Sequence, residues 1–76
     1  MKNITIWTTP TCKYCKMAKK FFDDNNLIYK EIDVTEDKYA AREMIAKSKQ
    51  MGVPVIQVDE VVVVGFDKKN LEKLLF

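Results

Sequence analysis

Ile4-Thr5-Ile6-Trp7-Thr8-Thr9-Pro10-Thr11-Cys12-Lys13-Tyr14-Cys15 (residues 4–15) passes from an apolar, β-branched run through a proline-containing turn into a segment with helical spacing. The chain has only these two cysteines, and they sit at the strand-to-helix junction. In a helix, residues i and i+3 have Cα atoms roughly 5 Å apart, inside the range of about 4.4–6.8 Å that a disulfide needs. A Cys-x-x-Cys in a first helical turn can therefore close and reopen with little backbone movement. A cysteine at a helix start also meets unsatisfied N–H groups and the positive end of the helix dipole. Lys13 and Lys16 add positive charge nearby. Such settings move a cysteine pKa from about 8.5 toward roughly 3.5–7.5. Cys12 is thus the expected nucleophile, and Cys15, one turn further in, the resolving thiol.

Other uses of the pair compete with this one. Zinc wants about four Cys, His or carboxylate ligands, and the chain has no histidine and no second cysteine pair. A zinc site within one chain is thereby nearly excluded, so no metal site is expected; only a dimer-bridging one survives. Two soft thiolates suit Cu(I), which leaves a copper carrier as the alternative. Buried cysteines without a chemical role are also common.

Working outward, Asn3 to Thr8 reads as a first strand, with Thr11 as the N-cap candidate of a helix from Lys13 to about Asn25. Cys15, Ala18, Phe21 and Phe22 form its inward stripe, and Asn25-Asn26 ends it. Ile28 to Asp33 is the second strand, with no clean inward side. Thr35 or Asp37 caps a second helix reaching about Lys49, with Ala40, Ala41, Met44, Ile45 and Ser48 inward and Gly52 as its stop. Val55 to Val58 and Val61 to Val64 form a hairpin about Asp59-Glu60. That turn lacks the usual glycine, so strain or a longer loop is expected. A last helix starts after Gly65, capped by Asp67 and apolar at Leu71, Leu74 and Leu75. The order β-α-β-α-β-β-α predicts an α/β fold, a four-stranded mixed sheet with three helices on its faces. The cysteines fall beyond the carboxyl end of the first strand, where open α/β sheets place their chemistry.

Seventy-six residues, 47% hydrophobic and 32% charged, suit one globular domain spanning 1–76. A net charge of +2, with lysines spread along the chain, gives no footprint for nucleic acid. No apolar stretch nears the roughly 18 residues of a membrane span. None reaches the about 7–15 of a signal-peptide core either. The expectation is a cytoplasmic monomer, a setting in which a lone Cys-x-x-Cys is more often catalytic than structural.

Three stretches, in this order, resemble the glutaredoxins, the short branch of the thioredoxin superfamily: Thr-Thr-Pro-Thr-Cys-Lys-Tyr-Cys (8–15), Gly-Val-Pro-Val-Ile (52–56) and Val-Gly-Phe-Asp (64–67). The resemblance implies a thioredoxin-like fold and a thiol–disulfide oxidoreductase acting on disulfide-containing proteins. It implies no tightly bound cofactor, with glutathione or a thioredoxin reductase as electron donor. It implies a cis Pro54 against the cysteines, Val53 offering its backbone to an extended substrate, and Lys13, Tyr14, Phe66 and Asp67 around the same groove. Phe66 has a second reading as anchor of the last helix. Trp7 reads as core packing, and Lys13, Lys16 and Lys20 as a solvated face.

The glutathione pattern departs from the family at several positions. Val64 replaces the first glycine of Gly-Gly-x-Asp-Asp, and Lys68 its second aspartate. Thr9 stands where many glutaredoxins carry lysine, and Lys13 where proline is frequent. These changes resemble the glutaredoxin-like redoxins that thioredoxin reductase reduces.

Overall fold

The computed structural model describes residues 2–76. Its elements are β1 (Ile4–Thr8), α1 (Lys13–Asp24), β2 (Lys30–Asp33), α2 (Lys38–Ser48), β3 (Val55–Val58), β4 (Val61–Val64) and α3 (Lys68–Leu75). The sheet order is β2-β1-β3-β4. β1 pairs parallel with β2, and antiparallel with β3, which pairs antiparallel with β4. This is the expected mixed sheet with three helices.

Alternation along β1 and β3 splits the core between the two sheet faces. Ile4, Ile6, Ile56, Val58 and Val63 meet Ala18 and Phe22 of α1 and Leu71 of α3 on one side. Trp7 and Val55 meet Met44 of α2 on the other. Burying a Phe22 or Leu71 side chain stabilises by about 1.5–3 kcal/mol, whereas an exposed i,i+4 pair such as Lys20–Asp24 (3.1 Å) contributes about 0.3–0.5 kcal/mol. Apolar packing, not surface charge, holds the helices to the sheet.

Helix ends account for most differences from the sequence reading. Asp37 caps α2 by accepting the Tyr39 and Ala40 N–H groups at 2.9 and 3.1 Å. Thr35 instead gives both its N–H and its hydroxyl to Asp33. α1 stops as expected, with Asn26 left-handed (φ 55°) and the Leu27 N–H on the Phe22 carbonyl at 2.9 Å. α2 is not stopped by Gly52; Lys49 itself turns left-handed (φ 60°) and returns its N–H to Ile45 at 2.7 Å. Its inward face is narrower than expected, because only Met44 is fully buried and Ile45 is exposed. β2 begins at Lys30, and Ile28 is 74% exposed. As an edge strand β2 serves both faces, with Tyr29 just before it beside Phe22 and Ile32 in the α2 cluster. The β3–β4 turn is two residues, with Asp59 at φ 53° in place of a glycine. Asp59 also ties the turn to the chain start, receiving the Asn3 N–H at 2.9 Å.

Two outcomes are expected. Lys49→Gly removes a left-handed side chain that costs about 1 kcal/mol and touches no core, so the melting temperature should rise. The Thr35 hydrogen bonds hold the Asp33 carboxyl below the usual carboxylate range. A lowered folded pKa adds stability above about pH 4 that is lost as pH falls through the folded value. Asp33→Ala should therefore melt below wild type at pH 7, with the gap narrowing on acidification; a pH-independent gap would exclude this role.

Candidate active site

Sheet register gathers the motif segments at one end of the molecule. Trp7 is opposite Val55, so the chain leaving β1 toward Cys12 runs beside Val53 and Pro54 as they enter β3. Val55 is opposite Val64, and the Gly65 N–H donates to the Pro54 carbonyl at 2.8 Å, which brings Gly65-Phe66-Asp67 to the same end. Gly65 has φ 78° with nothing near a would-be Cβ, so backbone conformation rather than space calls for glycine there.

Cys12, not Thr11, is the N-cap of α1. Its backbone is extended (φ −84°, ψ 112°), and its Sγ accepts the Cys15 N–H at 3.1 Å. Its N–H is held by the Thr9 carbonyl at 3.3 Å, which closes the Thr9–Cys12 turn. Threonine is among the preferred N-caps, so the sequence pointed to Thr11. The sulfur takes the role because helical dihedrals begin only at Lys13. Cys12 and Cys15 form a disulfide with Cα atoms 5.2 Å apart. Cys15 is fully buried and Cys12 partly exposed, so of the two residues Cys12 is the one that reaches the surface.

The remaining candidates divide. Lys13 and Tyr14 are exposed beside the disulfide, Tyr14 at 60%. The Val53–Pro54 peptide is cis, the isomer the resemblance implies. Pro54 is buried, and Val53 packs on the α2-side cluster. Phe66 lies against Phe21 with ring centroids 6.0 Å apart, so it anchors the segment leading into α3. Asp67 caps α3, accepting the Asn70 N–H at 3.3 Å and the Asn70 side-chain amide at 2.9 Å. Val64, at the position where the resemblance implies a glycine, is 51% exposed.

One polar group escaped the sequence reading. The buried Thr8 hydroxyl, at the end of β1, donates to Glu31 at 3.2 Å, and Lys19 meets the same carboxylate oxygen at 2.7 Å. Lys19 lies one turn beyond Cys15 on α1, and that i,i+4 spacing was the signal available. Trp7 is 1% exposed in the core, with Lys47 Nζ 5.5 Å from its ring centre. Among the described residues, no three His, Cys, Asp or Glu side chains converge as a metal site, and no helix is long and apolar enough to cross a membrane.

A family model described as glutaredoxin matches residues 4–63. An uncharacterized glutaredoxin-like 8.6 kDa protein in the rubredoxin operon of Clostridium pasteurianum is 40% identical over 72 residues, covering 95% of this chain and 96% of that protein. The glutaredoxin-like protein NrdH of Lactococcus lactis is 31% identical over 74 residues, covering 93% and 97%. The crystal structure of the thioredoxin-like protein BC3987 superposes with a TM-score of 0.90 at 33% identity, covering 96% of this chain and all of that one (100%).

Removing the α3 cap separates its structural role from chemistry at the disulfide. Asp67→Ala should cost about 1 kcal/mol of folding stability and leave turnover of a small disulfide such as hydroxyethyl disulfide unchanged. Loss of that turnover in a folded variant would instead place Asp67 in the reaction.

Proposed function

The chain belongs to the glutaredoxin family, and from that footing we propose that it reduces protein and mixed disulfides by dithiol exchange through Cys12 and Cys15. The carrying observation is the N-cap: a partly exposed cysteine at a helix start whose sulfur receives a backbone N–H at 3.1 Å, one turn from a buried partner. A thiolate at Cys12 accepts that hydrogen bond and faces the positive helix end, and both interactions favour the charged form.

In the first step the Cys12 thiolate attacks one sulfur of the substrate disulfide. A new S–S bond joins Cys12 to the substrate, the original bond breaks, and the other substrate sulfur leaves as thiolate and takes a proton. Cys15 then loses its proton and attacks the Cys12 sulfur. The Cys12–Cys15 bond forms and the second substrate thiol is released. The substrate has gained two electrons, and the protein is left as its disulfide. An extended substrate would pair with the backbone of Val53, as an added strand, with Tyr14 and Lys13 flanking the reacting sulfur.

For the donor, we propose a thioredoxin-reductase-type flavoenzyme rather than glutathione. Three positions support this: Thr9 lacks an ammonium for a glutathione carboxylate, Val64 fills the glycine position, and Lys68 opposes the tripeptide's α-amino group. The Cu(I) carrier is the weaker reading. Such domains follow the order β-α-β-β-α-β and carry methionine two residues before the first cysteine, where this chain has Pro10.

Cys12→Ser should abolish reduction of hydroxyethyl disulfide and of a protein disulfide. Cys15→Ser should accumulate Cys12-linked mixed disulfides, visible by mass spectrometry. NADPH consumption should appear with thioredoxin reductase and stay at background with glutathione plus glutathione reductase. The opposite pattern would return glutathione to its usual family role. An unchanged rate in Cys12→Ser would remove the dithiol mechanism.

A further inference from the structure

Along α1, Tyr14, Met17 and Phe21 are spaced by three and four residues, so they share one helix face. Tyr14 lies between the cysteines and is 60% exposed; Met17 is 44% exposed. This apolar stripe leads away from the disulfide into a groove of about 730 Å³ between α1 and α3. Its floor is aromatic: Phe21 lies 6.0 Å from Phe66 and meets Phe76 edge-on at 6.5 Å. A smaller hollow of about 300 Å³, lined by Met17 and Phe66, shares Phe21, Asp24 and Lys68 with the groove and links it back toward the active end.

The rim is unbalanced in charge. Lys20, Lys68, Lys69 and Lys73 line the groove and its hollow against the carboxylates of Asp24 and Glu72. Asp24 is already paired with Lys20 at 3.1 Å. Three ammonium groups of α3 therefore face the groove with one unpaired side-chain carboxylate, Glu72, among them. Aromatic floor and cationic rim together suit a segment that presents an aromatic ring inward and carboxylates outward.

We propose that this groove docks an extended acidic, aromatic-bearing segment of the protein whose disulfide Cys12 attacks; the proposal rests on the dithiol reading above and names the substrate class it acts on. The helix fixes the spacing. α1 has 12 residues and spans about 18 Å at roughly 1.5 Å per residue. An extended chain covers that length in about five or six residues at roughly 3.3 Å each. The acidic-aromatic segment then lies about five or six residues from the substrate cysteine.

The test uses pre-reduced protein and synthetic peptides whose single cysteine is held in a mixed disulfide with a chromogenic aryl thiol. In one peptide Asp-Phe-Glu begins five residues from the cysteine. In a second, Asn-Phe-Gln replaces it. In a third, Asp-Phe-Glu directly follows the cysteine. Single-turnover reduction should half-saturate at about fivefold lower concentration for the first peptide than for the other two. The advantage should shrink as NaCl is raised. Lys69→Glu with Lys73→Glu should erase it while the rate with hydroxyethyl disulfide is kept. Equal half-saturation for the acidic and neutral peptides, or a preference indifferent to spacing or salt, overturns the proposal. Should no disulfide react, the dithiol reading fails. Docking is then decided by fluorescence anisotropy of the acidic peptide with serine for cysteine: tighter binding than its neutral counterpart supports the groove, and equal binding overturns it.

Discussion

Pairing of β1 on both of its edges is the constraint from which the rest of the molecule follows. With a parallel neighbour on one side and an antiparallel one on the other, β1 has no free edge. Its parallel partner requires a crossover, and α1 is that crossover. Its antiparallel partner sets the approach of Val53-Pro54 to the segment carrying Cys12. The residues of the site are remote in sequence, and the register of one short strand makes them neighbours.

A second tier of organisation comes from the ends of elements. The helix starts are held by Cys12, Asp37 and Asp67, and each supplies a side-chain acceptor to backbone N–H groups that would otherwise lack one. Two of these three caps belong to motif residues. In this chain the same atoms begin a helix and define the candidate site, so capping chemistry and redox chemistry share a position. Asp67 shows the effect plainly: its two oxygens are engaged by Asn70, which leaves it fewer lone pairs for a ligand than its motif position suggests.

Periodic features were legible in the sequence. The spacing of Cys15, Ala18 and Phe22 and the β-branched runs at 4–8, 55–58 and 61–64 gave element type and order. The three motif stretches gave the family and pointed to the cis Val53–Pro54 bond. Features decided by a single residue's backbone were not legible. Nothing in Lys49 announces a left-handed turn, since the residue is forced there by the chain's path and not by preference. Thr11 and Cys12 both offer an acceptor, and only the first helical residue decides between them. Ile28 has strand propensity, but the pairing of β2 with β1 begins at Lys30 opposite Thr5. Ile45 follows the buried Met44 on α2, and apolar spacing alone does not show that it stays exposed.

Cys12 is at once a redox sulfur and the acceptor that holds the head of α1. Helix folding and electron transfer are then two legs of one thermodynamic cycle. A thiolate accepts a hydrogen bond more strongly than a disulfide sulfur, so gaining electrons strengthens the cap while releasing a cross-link around a very short loop. The difference in folding free energy between dithiol and disulfide forms corresponds to the gap in reduction potential between the folded chain and the same chain unfolded. The conversion is about 30 mV for each 1.4 kcal/mol. In this protein the stability of one helical turn is also an electrical quantity.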